Sequence, residues 1–294
     1  MKLALGTVQF GLNYGVTNQQ GKVSLAEVEK ILSFAKSEGI TTLDTAAAYG
    51  DSEDVLGKVK ACEHFNLVTK VPELTTQSLS LTHIVKNSLS HLACNKVTAL
   101  LFHHADDLLS PGGQAYFNQA SALKEQGLIN QLGISVYRPE QVVNISQHFN
   151  LDIIQIPMSW FDQRFLTKDI QKNLTDIEVH VRSIFLQGIL LAELNSLPTY
   201  FAPFKEKFKC FHQYCKSLNC QPLTLALAII HQNNFIDKAV IGCCSLAQLE
   251  QITEHYYIAK QLVKENKGLM QNIGKKLASN NEALIDPSQW NISN

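Results

Sequence analysis

The sequence predicts a single-domain (β/α)8 barrel, the TIM barrel, over residues 1–294. Short runs rich in Val, Ile, Leu and Thr alternate with longer segments of helical period, eight such runs can be counted, and no linker or low-complexity tract interrupts the series. A chain of 294 residues exceeds the usual span of one domain, but barrels do so routinely.

The eight runs lie at 3–7, 41–43, 67–70, 97–102, 131–134, 153–156, 178–181 and 239–241. Each is mostly apolar, as a strand covered on both faces must be. Between the first two, Ser24-Leu25-Ala26-Glu27 reads as a capping box, Val28, Ile31, Leu32 and Ala35 form one apolar stripe, and Gly39 ends the helix. After the third run, Leu81, Ile84, Val85, Leu89 and Leu92 repeat at helical spacing. After the fifth, Pro139 opens a helix carrying Val142, Val143 and Phe149. Gly127 closes the helix before the fifth strand, Pro222 opens one before the eighth, and Ser245-Leu246-Ala247-Gln248 caps one after it. A doubly wound open sheet uses the same alternation. Neither G-x-G-x-x-G nor G-x-x-x-x-G-K-[ST] occurs, which favours the barrel.

Hydrophobic residues at 45% and charged residues at 17% exclude disorder. With Lys+Arg 25 against Asp+Glu 26, there is no field for gathering nucleic acid or an anionic membrane, so a small, weakly charged ligand is expected. The opening Met1-Lys2-Leu3-Ala4-Leu5 is broken by Gly6, Gln9, Gly11 and Asn13 before it reaches the length of a secretory signal. The longest apolar stretch, 223–230, falls far short of the roughly 20 residues that span a bilayer. Seven cysteines without a C-x-x-C pair fit reduced thiols and no metal site, so a cytoplasmic protein is expected.

In a barrel, reactive groups belong at the carboxyl ends of strands. Asp44, Tyr49, Lys70, His103, His104, Ser135, Gln155 and Arg182 all fall at or just beyond such ends. Asp44, Tyr49, Lys70 and His103 make a coherent proton-donor set. The Lys70 ammonium would lower the Tyr49 phenol, Asp44 would hold Lys70 charged, and His103 could hydrogen-bond a carbonyl oxygen that Tyr49 protonates. Singly, an Asp–Lys pair is an ordinary barrel ion pair, and a loop Tyr or strand-end His is ordinarily packing; four at successive strand ends favour chemistry.

Leu43-Asp44-Thr45-Ala46-x-x-Tyr49-Gly50-x-Ser52-Glu53, continued by Leu56-Gly57, resembles the second strand and following loop of the aldo-keto reductase superfamily. The resemblance runs in order through Leu5-Gly6-Thr7, Val68-Thr69-Lys70, Leu100-Leu101-Phe102-His103, Gly127-x5-Gly133-Ile134-Ser135, Gln155 and Val240-Ile241-Gly242. It implies a TIM barrel that reduces carbonyls with NADPH or NADH, with its catalytic tetrad on Asp44, Tyr49, Lys70 and His103.

The same resemblance places Ser135 and Gln155 on the nicotinamide carboxamide and Arg182 flat against the nicotinamide ring, with Gly6 and Thr7 also at the cofactor. Ser183, Phe185, Leu186 and Gly188 resemble a loop passing over the pyrophosphate. Gly242, Cys243, Ser245 and Gln248 lead into a helix whose amides could bind the adenosine phosphate. Gln155 could equally be a buried amide, and Ser245 and Gln248 could be helix caps alone. Many relatives carry Lys or Arg in this last segment; here Gln248, Gln251 and Ile252 follow Gly242, so both NADPH and NADH stay open. The usual N-terminal β-hairpin plug is expected to be missing. Phe10, Tyr14, Trp160 and Phe161, with Trp290 in the 280–294 tail, are candidate substrate walls, although Phe161 fits barrel packing better.

The sequence therefore reads as a cytoplasmic NAD(P)H-dependent reductase of aldehydes or ketones, with sugar-derived carbonyls among the candidate substrates. Two rivals are a cofactor-binding regulatory or subunit barrel with little turnover, and a Schiff-base aldolase using Lys70.

Overall fold

A computed structural model describes residues 1–292. Its strands are β1 (Leu3–Gly6), β2 (Thr42–Asp44), β3 (Asn66–Val71), β4 (Val97–Phe102), β5 (Ile129–Ser135), β6 (Ile153–Pro157), β7 (Glu178–Arg182) and β8 (Lys238–Gly242). They pair in parallel in sequence order, and β8 returns to β1 in the register Leu3↔Ala239 through Gly6↔Gly242, closing the barrel. Every predicted run is a strand, displaced by no more than two residues at either end.

Side-chain alternation divides the apolar interior in two. One set of strand residues, including Leu5, Leu43, Leu67, Leu100, Ile134 and Ile154, packs outward against the helices in one continuous core. A smaller cluster, Val68, Ala99, Leu101 and Ile153, fills the barrel itself. The inward rows that pass through this plug carry Asp44, Lys70 and Gln155 to the carboxyl end.

At the opposite end, Gln131 Nε2 donates to Glu178 Oε2 (2.7 Å), and His180 Nε2 lies 2.9 Å from Glu178 Oε1. The Asp152 and Asp237 carboxylates accept the Leu132 and Val179 backbone N–H groups. Among the described residues no strand precedes β1. No helix among them is long and apolar enough to cross a membrane.

The helix signals hold, except that the helix opened by Pro139 ends at Ser146, short of the Phe149 expected on it, and that Glu27 departs from its expected role. Pro139 and Pro222 open the Pro139–Ser146 and Pro222–Gln232 helices, and Ser245 caps the Leu246–Glu265 helix by accepting the Gln248 N–H. Ser24 likewise accepts the Glu27 N–H at the start of the Leu25–Ser37 helix. The Glu27 carboxylate does not complete that capping box. It reaches across the surface instead and accepts the Leu246 N–H (2.8 Å), because the two helices pack side by side.

Candidate active site

The ends of β2 and β3 bring Asp44 and Lys70 together inside the barrel. Lys70 Nζ donates to Asp44 Oδ1 (2.5 Å), to the Thr45 carbonyl (2.9 Å) and to the Tyr49 hydroxyl (3.4 Å). Gln155 Nε2 donates to Asp44 Oδ2 (2.7 Å), so both carboxylate oxygens are engaged. The side chains of Lys70 and Asp44 are 0% and 3% exposed, which fixes the pair as a buried unit.

Tyr49 hangs on the loop after β2, and the Ser52-Glu53 part of the motif explains how that loop is held. Ser52 Oγ donates to the Thr7 carbonyl (2.9 Å), while Thr69 Oγ1 donates to Glu53 Oε1 (2.5 Å). These bonds tie the loop to β1 and β3. The Tyr49 ring then lies with its centroid 5.0 Å from Lys70 Nζ and 5.9 Å from the His103 ring, which it meets edge-on at 83°.

Burial pushes the Tyr49 phenol up, outweighing the nearby Lys70 ammonium, which acts to lower it; Asp44 adds to the rise. This corrects the expectation of a phenol lowered overall by Lys70: in the closed barrel, desolvation wins. Tyr49 therefore carries its proton at neutral pH. Burial alone would lower the Lys70 ammonium, but Asp44 and Tyr49 together hold it above its ordinary value. Desolvation, aided by Lys70, His104 and Arg182, pushes His103 down to about 3, so it is a neutral imidazole with one N–H to donate.

Asp44, Tyr49, His103, Gln155 and Arg182 open on one cavity of about 640 Å³ that runs across the barrel mouth. Gly6, Thr7 and Tyr14 line it from the β1 side, and Ser183, Phe185 and Gly188 from the loop after β7. Gly242, Cys243 and Gln248 line its far end. The Arg182 guanidinium lies 4.3 Å from the Tyr137 ring centroid and donates to the Val136 carbonyl (3.0 Å).

Other expected site residues lie elsewhere. Phe10 and Trp160 are fully buried and absent from the cavity wall, which corrects their assignment as substrate walls. Phe10 sits in a short helix, Val8–Gly11, that faces the core; the Trp160 indole N–H donates to the Leu225 carbonyl. Phe161 packs against Phe208 and Phe211. Ser135 and Leu186 are buried beneath the wall, and Ser245 acts as a helix cap. Trp290 lines a neighbouring cleft with Tyr14 and Gln187; residues 293 and 294 of the tail lie outside the described residues.

Sequence reasoning missed Gln9, Thr17, Asn18 and Tyr137, all on the cavity wall. Gln9 and Tyr137 follow β1 and β5 by three and two residues, so the strand-end rule could have found them. Gln9 also tests whether a dinucleotide fits. Its Oε1 is buried with no hydrogen-bond partner, and its amide lies 2.7 Å from where a Gly242 Cβ would stand. An unpaired acceptor in a long cavity with glycine walls suits a ligand rich in hydroxyl donors. The loop after β7 points the same way. Ser183, Leu186 and Gln187 hold positive φ without being glycine, and Gly188 continues the turn; strain of this kind accompanies ligand loops. The residues present therefore fit a nicotinamide dinucleotide. Among the described residues no cluster could hold a metal ion.

Comparison with known proteins agrees with this architecture. The Aldo/keto reductase family model matches residues 2–274. D-arabinose 1-dehydrogenase of Saccharomyces cerevisiae is 21% identical over 308 residues, spanning 96% of this chain and 88% of the relative. The fold is shared with an aldo-keto reductase from Bacillus halodurans (TM-score 0.73, 19% identity, 96% of this chain and 95% of that one). The chain belongs to the aldo/keto reductase family, whose members are oxidoreductases that use NAD(P)H on small carbonyl compounds.

Proposed function

We propose that this protein reduces an aldehyde or ketone to the alcohol, with NADPH or NADH as reductant and Tyr49 as the general acid. The observation that carries this reading is the Lys70 ammonium, which donates both to the Asp44 carboxylate and to the Tyr49 hydroxyl beneath the cavity. When bound, the reduced nicotinamide supplies the hydride that adds to the carbonyl carbon. Tyr49 gives its proton to the carbonyl oxygen, and Lys70 stabilises the phenolate left behind. Neutral His103 donates its N–H to the same oxygen, orienting the carbonyl before transfer. Gln155 fixes Asp44, so the pair keeps its geometry as charge moves.

Arg182, already held against Tyr137, provides a planar group for the nicotinamide, and the Ser183–Gly188 turn lies where the pyrophosphate would pass. Sugar-derived aldehydes belong in the substrate panel, because the yeast relative is named for a sugar. Lys70 is no free nucleophile: it is fully buried, paired and held protonated, which weighs against a Schiff-base aldolase.

The test is Tyr49→Phe. Turnover on a carbonyl panel should fall by about 10²–10⁴-fold while nucleotide affinity changes little. Equal turnover in the two proteins sinks the assignment. Tight nucleotide binding by the unaltered protein without turnover on any carbonyl favours a regulatory barrel instead.

A further inference from the structure

Cys215 and Cys220 stand five positions apart, a spacing that on a continuous helix separates two side chains by about 7.5 Å of rise and about 140° of rotation. The Lys205–Ser217 helix stops between them. Asn219 takes the left-handed conformation (φ +49°), its N–H donates to the Lys216 carbonyl (3.1 Å), and the Cys220 N–H returns to the Cys215 carbonyl (2.9 Å). These two bonds make a Schellman turn, which folds the chain back over the last helical turn so that its two outer side chains meet.

Among the described residues three other helices end in the same turn, and each pair it brings together contains an aliphatic side chain. The pairs are Ala35 with Ile40 after the Leu25–Ser37 helix, Leu89 with Cys94 after Leu81–His91, and Leu123 with Leu128 after Gly113–Glu125. After the Lys205–Ser217 helix both positions are cysteine. With the Cys220 N–H on the Cys215 carbonyl, standard bond lengths hold the two Cα atoms within about 6.8 Å, and a disulfide closes over roughly 4.4–6.8 Å.

The two thiols are not equivalent. Cys215 is 4% exposed, whereas Cys220 is half-buried. Hydrogen bonding from the Cys215 thiol holds Cys220 below its ordinary value against the opposing effect of burial. The same contact, then burial, pushes Cys215 up. Elsewhere burial pushes Cys94 up to about 11 and Cys243 up to about 12. Cys220 is therefore the nucleophile of the pair and Cys215 the thiol that resolves it.

We propose that Cys215 and Cys220 are a redox modification site, a thiol pair that hydrogen peroxide converts into an intrachain disulfide and a dithiol reopens. The Cys220 thiolate attacks one peroxide oxygen; the S–O bond forms as the O–O bond breaks, and the departing hydroxide takes up the proton that Cys220 released, leaving as water. The Cys215 sulfur then attacks the Cys220 sulfur. The S–S bond forms as the S–O bond breaks, and hydroxide leaves with the Cys215 proton as a second water. The sulfur pair gives up two electrons and the peroxide accepts them. The bond clamps the turn into the Pro222–Gln232 helix, whose Leu223 lines the cavity, and it does not depend on the proposed reductase function.

The experiment is treatment of the intact protein with hydrogen peroxide, alkylation of the remaining thiols in denaturant with iodoacetamide, tryptic digestion and mass spectrometry. Trypsin cuts after Lys216, between the two cysteines, so the disulfide appears as segments 210–216 and 217–238 joined with the loss of two hydrogens. Dithiothreitol should separate them. Cys210 shares the first segment and precedes Cys215 by the same five positions, but within the continuous helix, so it is the internal control. Cys210→Ser should leave the joined segments in place. In Cys215→Ser, Cys220 should stop at the sulfenic acid and be captured by dimedone; in Cys220→Ser, Cys215 should stay fully open to alkylation.

Cys215 and Cys220 alkylated as completely as Cys210 after peroxide treatment, or joined segments that vanish in Cys210→Ser, overturn the proposal. So does dimedone capture at Cys220 of the intact protein equal to that in Cys215→Ser, since Cys215 would then resolve nothing.

Discussion

The two ends of the cleft are built by different means. At the chemical end, Asp44 and Lys70 project from the neighbouring strands β2 and β3 and Gln155 from β6 across the barrel, their register is fixed by a closed sheet, and all three are buried. Beside the far end, Glu27, Ser245 and Gln248 from two surface helices accept backbone N–H groups, and Glu27 is partly open to solvent. The first arrangement is rigid, because changing one group strands another in low dielectric. The second can be altered at little risk to the fold. The buried proton-transfer set proposed here is thus lodged in the scaffold, whereas the far end is bordered by exposed groups that substitution can change.

Lys70→Met should break the chemical end most completely. Turnover is expected to fall by about 10²–10⁴-fold, since Tyr49 loses the cation that stabilises its phenolate. Asp44 would keep Gln155 but lose its counter-charge, and breaking a buried pair from one side costs about 3–5 kcal/mol. Urea unfolding measures that loss. Removing the stranded charge as well, in Lys70→Met with Asp44→Asn, should restore much of the stability and none of the turnover. Parallel recovery of both would mean that the ion pair serves folding alone. Nucleotide affinity should change little in either variant.

The same division governs what the sequence could disclose. All eight strands were legible, because β-branched and apolar runs bounded by helix caps are local signals, and the tetrad followed from its positions at strand ends. Gln9 and Tyr137 obey that rule and were simply not collected by it. Phe10 and Trp160 failed for another reason: nothing near an aromatic residue in a βα loop encodes whether it turns outward to the cleft or inward to the core. Glu27 was legible as half of a local capping box and illegible as a cap for Leu246, a contact that exists only once two distant helices pack. The direction of the Tyr49 shift was likewise hidden, since it depends on how thoroughly the closed barrel excludes water.

Between the two ends, Gly188 tests whether the turn after β7 joins them mechanically. Its φ of +90° and a would-be Cβ only 2.0 Å from Thr17 Oγ1 make any side chain there doubly unfavourable. Gly188→Ala should cost about 1–2 kcal/mol for the backbone alone, more with the clash, and should weaken NADH and NADPH alike because both would pass beneath this turn. Adding Thr17→Ala removes the clashing hydroxyl and should recover the steric part only. Calorimetry of both nucleotides checks this: a shift confined to NADPH would assign Gly188 to the far end rather than to the shared middle.

The smallest effect expected at neutral pH, and the sharpest for the chemical end, concerns His103. Its folded-state pKa is pushed down to about 3 from an ordinary 6.5, first by burial and then by the Lys70 charge. Between those values the unfolded chain binds a proton that the folded protein refuses. The sign follows from linkage: stability attributable to His103 is intact above pH 6.5 and is lost as pH falls from 6.5 toward 3. His103→Gln should flatten that part of the stability profile and leave it unchanged at pH 7. In the intact protein the His103 ring protons, identified by their loss in His103→Gln, should show no titration between pH 5 and 8. A titration near 6.5 would mean that the ring is hydrated and able to take a proton, in which case His103 could not act as the neutral donor that orients the carbonyl.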